Sequence, residues 1–136
     1  MAAIQVYRES FQPSKQLKEP YVMVAANITV ADSDEQAEYL FTSTQQAFIS
    51  MLTGQQNLLP PPIDHIEALL TPQIEYQLAQ MLSCSIVGSP ETVSRQLNSF
   101  VEKTGADEII AVSSVYDQSQ RLRSFGLLAD IWQINR

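Results

Sequence analysis

The sequence predicts an α/β fold on a parallel sheet, and three observations carry that prediction. The first is an almost unbroken apolar run, Tyr21-Val22-Met23-Val24-Ala25-Ala26-Asn27-Ile28-Thr29-Val30. It does not alternate, which is how a strand reads when both of its faces are covered. The second is the order of patterns. Strand-like stretches at 21–30, 84–88 and 108–115 each precede a helix-like stretch, at 33–53, 90–104 and 119–133. Strands alternating with helices imply parallel pairing through right-handed crossovers. The third is size: 136 residues, 45% of them hydrophobic and 17% charged. That is one domain of ordinary length with enough apolar material for a core.

Each element has a local reason. Ile4, Tyr7 and Phe11 fall on one helix face, and Pro13 ends that segment. After the first apolar run, Asp32 or Ser33 is placed to cap a helix, with Glu35 or Gln36 three positions on. Ala37, Leu40, Phe41, Thr44, Phe48, Met51 and Leu52 keep the i, i+3, i+4 rhythm, and Gly54 is placed to stop it. Residues 54–72 change character. Gln55-Gln56-Asn57-Leu58-Leu59-Pro60-Pro61-Pro62 suits neither helix nor central strand. A short helix is expected within 63–70 and another after Thr71-Pro72, with Ile74, Leu78, Met81 and Leu82 on its face. The stretch reads as a Pro-rich, lid-like excursion inside a single domain spanning 1–136. Cys84-Ser85-Ile86-Val87-Gly88 opens a second unit, and Ser89-Pro90-Glu91 combines cap, first-position proline and acid at a helix start. Its buried face is Val93, Leu97, Phe100 and Val101, and Gly105 ends it. The last helix, with Ser119 as candidate cap, is expected to turn Leu122, Phe125, Leu128, Ile131 and Trp132 inward.

Composition narrows the function classes. Fifteen acids face eight Lys and Arg, a net charge of −7, which disfavours nucleic acid as a partner. No apolar run approaches the length of a membrane span, and the N-terminal residues lack the pattern of a signal peptide. One cysteine and one histidine leave no disulfide within the chain and no His-cluster metal site. The expected compartment is the cytoplasm, with no metal, membrane or nucleic-acid partner.

Several stretches, in order along almost the whole chain, resemble the luciferase-like, flavin-dependent monooxygenases. They are Tyr7-Arg8-Glu9-Ser10-Phe11-Gln12-Pro13-Ser14; Pro20-Tyr21-Val22-Met23-Val24 running into Val30-Ala31-Asp32-Ser33-Asp34-Glu35-Gln36-Ala37; Leu59-Pro60-Pro61-Pro62; Ile86-Val87-Gly88-Ser89-Pro90-Glu91-Thr92-Val93; and Asp107-Glu108-Ile109 leading to Tyr116-Asp117 and Arg121-Leu122-Arg123-Ser124-Phe125-Gly126-Leu127-Leu128-Ala129. The resemblance implies a (β/α)₈ barrel, which needs about 250 residues. It therefore implies a C-terminal fragment: a partial TIM-type barrel of three parallel βα units, completed by oligomerisation or by a missing N-terminal half. The parent chemistry it implies is oxidation of a small organic substrate, such as an aldehyde or alkane, by reduced FMN and O₂. In the family, the flavin-phosphate contacts and a commonly cited catalytic histidine come mainly from the front half. This chain alone is thus expected to bind no cofactor and to be inactive, and no residue in it is assigned as catalytic.

In such barrels function sits where strands end and βα loops begin. Gly88 and Ser89, at a helix N-terminus, are candidate contacts to the cofactor phosphate; as a turn and a cap they need no such role. Tyr116, beside Asp117, is a candidate to face flavin or substrate. Leu58, Leu59, Ile63 and Ile66 are candidate lid residues over an apolar substrate, since long loops in compact domains are often lids. Arg121 and Arg123 read more simply as solvated cations. His65 sits in the excursion without a rigid frame, and Cys84 reads as a small hydrophobe opening a buried strand. Asp32, Asp34 and Glu35 have the oxygen chemistry for Ca²⁺, but acids at a helix start ordinarily complement the dipole.

A reading from another class stands beside the enzyme fragment: a non-enzymatic α/β module, derived from that family, whose exposed sheet drives dimerisation or partner binding. Both readings share one physical expectation. Three βα units leave bare sheet edges and uncovered apolar side chains, so the chain is expected to pair with itself or with its missing half. An exchanged terminal helix, 1–12 or 119–133, is one way to do so.

Overall fold

A computed structural model describes residues 2–55 and 57–134. Met1, at the head of the expected terminal helix, Gln56, in the excursion, and Asn135 and Arg136 lie outside the described residues. In chain order the elements are α1 (Ala2–Ser10), β1 (Met23–Val30), α2 (Asp34–Leu52), a 3₁₀ turn (Ile66–Leu69), α3 (Pro72–Met81), β2 (Ile86–Gly88), α4 (Pro90–Thr104), β3 (Glu108–Val112) and α5 (Gln118–Ile134).

Helix ends follow the local chemistry read from the sequence. Ser33 caps α2, its hydroxyl accepting the Gln36 N–H at 3.2 Å. At the other end Gly54, at φ +72°, closes a Schellman turn. Its N–H reaches the Met51 carbonyl and the Gln55 N–H the Ser50 carbonyl, at 3.2 and 2.7 Å. Thr71 and Ser89 cap α3 and α4 ahead of first-turn prolines. Gly105, left-handed at φ +57°, ends α4, and its carbonyl accepts from the Arg8 guanidinium, which ties α1 to that corner. For α5 the cap is Asp117, not the expected Ser119: its carboxylate accepts the Gln120 N–H at 2.9 Å and the Ser119 hydroxyl.

All three strands are parallel, but their order is β2–β1–β3. Met23 to Asn27 pair with Glu108 to Val112, and Ile28 to Val30 pair with Ile86 to Gly88. Successive barrel units place each strand beside the next one in sequence. A first strand in the middle is therefore not the order of three successive units. The second strand also begins later than the sequence suggests, so Cys84 lies outside it and is exposed.

The core lies on one face of this sheet. Ala26, Ile28 and Val30 alternate toward α4 and α5 and pack with Ile86, Val93, Leu97 and Ile131; Ile109, Ala111 and Leu128 join from the margin. The opposite face is covered only at its C-terminal end. There Val87 packs against Ala31, Ala37, Leu40 and Val115, and Thr29 is buried. Its other half is bare: Met23, Ile110 and Val112 are 51%, 46% and 43% exposed. The inward stripe expected for α5 is half realised. Ile131 is buried and Leu128 partly so, but Leu122, Phe125 and Trp132 face solvent because nothing described packs outside them.

One buried polar contact locks α5 to β1. The pairing with β3 ends at Asn27, and beyond it the Val30 N–H donates to the buried Ser124 hydroxyl at 2.9 Å. Ser124→Ala leaves that amide unpaired and is expected to cost about 1–3 kcal/mol. Leu97→Ala, at the centre of the helical face, is expected to cost about 2–5 kcal/mol through lost burial and the cavity left behind. Urea unfolding of the two variants checks both, with Tyr76→Ala, at an exposed position on α3, expected within about 0.5 kcal/mol of the parent.

Candidate functional site

The strand ends converge at one pole of the molecule, where β1 runs into Ala31–Ser33, β2 into Ser89, and β3 into Ser113–Asp117. Three carboxylates organise this pole. Asp34, in the first turn of α2, reaches across to α4, where Oδ1 accepts the Ser89 N–H at 2.7 Å and Oδ2 the Thr92 hydroxyl at 3.1 Å. Asp32 pairs with the Arg123 guanidinium of α5 through Nε and Nη2. Asp117 caps α5. Each acid is held below the ordinary aspartate range by its donors. For Asp34 these are the Ser89 amide, then the Ser89 and Thr92 hydroxyls; for Asp32, the Arg123 guanidinium; for Asp117, the Ser119 hydroxyl and then the Gln120 amide.

This arrangement places the sequence candidates. Gly88 is buried at φ +153°, and a Cβ there would stand 2.6 Å from Thr92 Cγ2 and 2.7 Å from Asp34 Oδ1. Its glycine is required by close approach. Ser89 caps α4, and the positive end of that helix already faces the Asp34 carboxylate. Tyr116 follows the buried Val115 and is 53% exposed at the same pole. Asp32, Asp34 and Glu35 do not converge on a cation position, and no metal-binding cluster occurs among the described residues. Arg123 is engaged by Asp32, and Arg121 donates to Gln118 on its own helix. His65 is exposed and pairs with Glu67 at 2.9 Å.

The excursion lies against α2. The Ile63 N–H donates to the Thr42 hydroxyl at 2.9 Å, and the Gln46 side-chain amide donates to the Pro61 carbonyl at 2.9 Å. Ile63 and Ile66 line a cleft of about 620 Å³ with Tyr39, Leu82 and Val87. Leu58 is 93% exposed and Leu59 partly buried, so the four expected lid residues are not one surface. The sequence reading missed Thr92 and Ser124. It also took Asp34 for a dipole acid or cation ligand, where it joins two helices. Asp34 and Thr92 stand four residues after strand ends, whereas Ser124 lies mid-helix in α5 and nothing local in the sequence marks it.

No family model matches the chain. A luciferase-like monooxygenase of Escherichia coli strain K12 is 43% identical over 129 residues, 95% of this chain and 38% of the relative. The uncharacterized protein YvbT of Bacillus subtilis is 40% identical over 131 residues, 96% of this chain and 39% of the relative. Over almost its whole length the chain is thus similar to part of a luciferase-like monooxygenase. The crystal structure of apo-MsnO8 superposes with a TM-score of 0.77 at 27% identity, over 97% of this chain and 40% of that one. The chain thus spans about two fifths of the length of the curated relatives it matches. No described helix is long and apolar enough to cross a membrane.

Two outcomes are expected at this pole. Gly88→Ala forces a side chain into occupied space at a backbone angle L residues avoid, so it should lower the melting temperature more than Gly126→Ala, where a Cβ meets nothing within 4 Å. The second concerns pH. Asp32, Asp34 and Asp117 have folded values below the unfolded one of about 3.8. The stability they contribute is complete above that value and is lost as pH falls through the folded ones. A melting-temperature profile should therefore fall below about pH 4, and Asp34→Asn should flatten that fall while lowering stability at pH 7.

Proposed function

We propose that the chain is one part of a flavin-dependent monooxygenase, which in its complete form oxidises a small organic substrate, such as an aldehyde or alkane, with reduced FMN and O₂. The observation that carries this reading is the 43% identity over 95% of the chain to a luciferase-like monooxygenase. The sheet fits the same reading in a revised form. β1 and β3 are parallel neighbours, as successive barrel strands are, with α4 packed as their crossover helix on the outer face. The segment from α2 to β2 is then an insertion at the C-terminal end of β1.

The residues present do not make a seat for FMN. A phosphate at a helix N-terminus needs free N–H groups, and at α4 Asp34 takes the Ser89 N–H while Thr92 fills the space beside Gly88. The nearby Arg123 is spent on Asp32. On this reading Gly88 and Ser89 shape the cofactor end without holding the phosphate. Tyr116 is the exposed group at this pole that can meet a ligand, and Ile63 and Ile66 form an apolar wall of the separate cleft between the excursion, α2 and β2. The chain by itself is inactive and acts with copies of itself or with the rest of the fold.

Fluorescence titration of FMN against the purified chain is expected to show no saturable binding at micromolar concentration. Flavin co-purifying in stoichiometric amount would overturn the unseated cofactor. The enzyme reading is tested by joining the chain to the remainder of the Escherichia coli relative. The hybrid should bind FMN and turn over O₂ with an aldehyde or alkane. A folded hybrid without flavin affinity would overturn that reading.

A further inference from the structure

We infer that the cleft between the excursion, α2 and β2 is a binding site for a small organic cation, an ammonium group carried on an apolar body. The inference stands apart from the monooxygenase reading, and no flavin enters its test.

The cleft holds about 620 Å³, a size that suits a small molecule. Its walls stand without a ligand. The Ile63 N–H on the Thr42 hydroxyl and the Gln46 amide on the Pro61 carbonyl fasten the excursion to α2, both at 2.9 Å. The Thr42 hydroxyl is itself anchored on the Tyr39 carbonyl at 2.7 Å. A preformed site lowers the ordering cost of binding. Ile63, Ile66, Leu82 and Val87 offer apolar wall to the body of a ligand. The charge comes from Glu35, Glu38 and Asp64, which line the same cleft. None of their carboxylates has a hydrogen-bond or ion-pair partner among the described residues. In this they differ from the acids of the strand-end pole, each of which is engaged by the chain's own donors. No lysine, arginine or histidine lines the cleft. The Tyr39 ring lines it at 41% exposure and presents a face that attracts cations. A second observation lies deeper. The Ser85 hydroxyl oxygen is buried with no hydrogen-bond partner among the described residues, an arrangement that calls for a donor or acceptor from outside. Ser85 borders this cleft and the neighbouring one of Arg95 and Lys103, whose cations make that one unfit for an ammonium. A bare metal ion does not fit either, because the acids form no metal-binding cluster among the described residues.

The test is calorimetric titration of the 136-residue chain with tryptamine at pH 7 and low salt. Saturable one-to-one binding is expected with a dissociation constant of about 1 mM or tighter. Tryptophol, which keeps the ring and lacks the charge, and ethylamine, which keeps the charge and lacks the ring, should each bind about tenfold more weakly or worse. The double variant Glu35→Gln, Glu38→Gln should weaken tryptamine by about tenfold, and Ser85→Ala by about threefold. Glu91→Gln with Glu102→Gln, the same loss of charge at exposed positions on α4 outside the cleft, should leave the constant unchanged. Asp64→Asn takes the place of the first double variant if that one loses its helical circular dichroism. Four results would overturn the inference: no saturable binding, tryptophol binding as tightly as tryptamine, ethylamine doing so, or the α4 pair weakening binding as much as the α2 pair. The last two would reduce the effect to the net charge of −7.

Discussion

The structure depends on one constraint: β1 is a parallel strand with a neighbour on each edge, and neither neighbour can be reached by a hairpin. Parallel pairing demands a crossover of a dozen or more residues each time. The route from β1 to β2 takes α2, the Pro-rich excursion and α3; the route from β2 to β3 takes α4. The helices exist to return the chain, and their apolar stripes follow from where they are returned. α4 and α5 lie on the face to which Ala26, Ile28 and Val30 point, so Val93, Leu97 and Ile131 become the core. α2 lies over the C-terminal end of the other face, so Ala37 and Leu40 become a smaller one. The half of that face beyond the reach of α2, at Met23, Ile110 and Val112, is exposed among the described residues.

The same constraint explains the chemistry of the strand-end pole. Helices starting side by side there bring positive dipole ends and unpaired N–H groups together. The chain answers with its own carboxylates: Asp34 bridges α2 to α4, and Asp32 ties the end of β1 to α5. A pole whose donors are already engaged resists an external anion. That is why a glycine-serine turn at a helix start, which in isolation resembles a phosphate cradle, here makes a joint between helices. The tight approach at Gly88 belongs to that joint.

Much of this was legible in the residues because it is local. Ser33, Gly54, Thr71, Ser89 and Gly105 each mark a helix end by chemistry acting within four residues, and each stands where the sequence puts it. The strand at 23–30 was visible as an apolar run. Strand order was not legible, because parallel strands carry no pairing signal and three residues of β2 suffice to take one edge of β1. The site was harder still. Ser89 and Asp34 are 55 positions apart, and nothing near either residue announces the other. Cys84 looked like a strand residue and is exposed, because the strand starts two residues later. The stripe on α5 is apolar in the sequence, yet Leu122, Phe125 and Trp132 face water, since periodicity reports an apolar face and not what buries it.

That last difference bears on where a ligand would approach. At the C-terminal end of β1 the backbone is closed off: Thr29, Val30 and Ala31 are each 2% exposed or less, covered by α2 on one side and α5 on the other. β2 ends in the Asp34 joint, and the excursion is fastened to α2 through Thr42 and Gln46. On the β3 side the cover from α2 reaches Ser114 and Val115, where the Thr44 hydroxyl donates to the Ser114 carbonyl at 3.4 Å, and stops there. The chain runs on from the end of β3 at Val112 to the buried Val115, and the next side chain, Tyr116, stands half in solvent. A ligand at the strand ends would therefore meet the aromatic ring and hydroxyl of Tyr116 first, on the side of the sheet where β3 has an edge to spare. The exposed tyrosine follows four residues after the end of the strand whose outer edge is open.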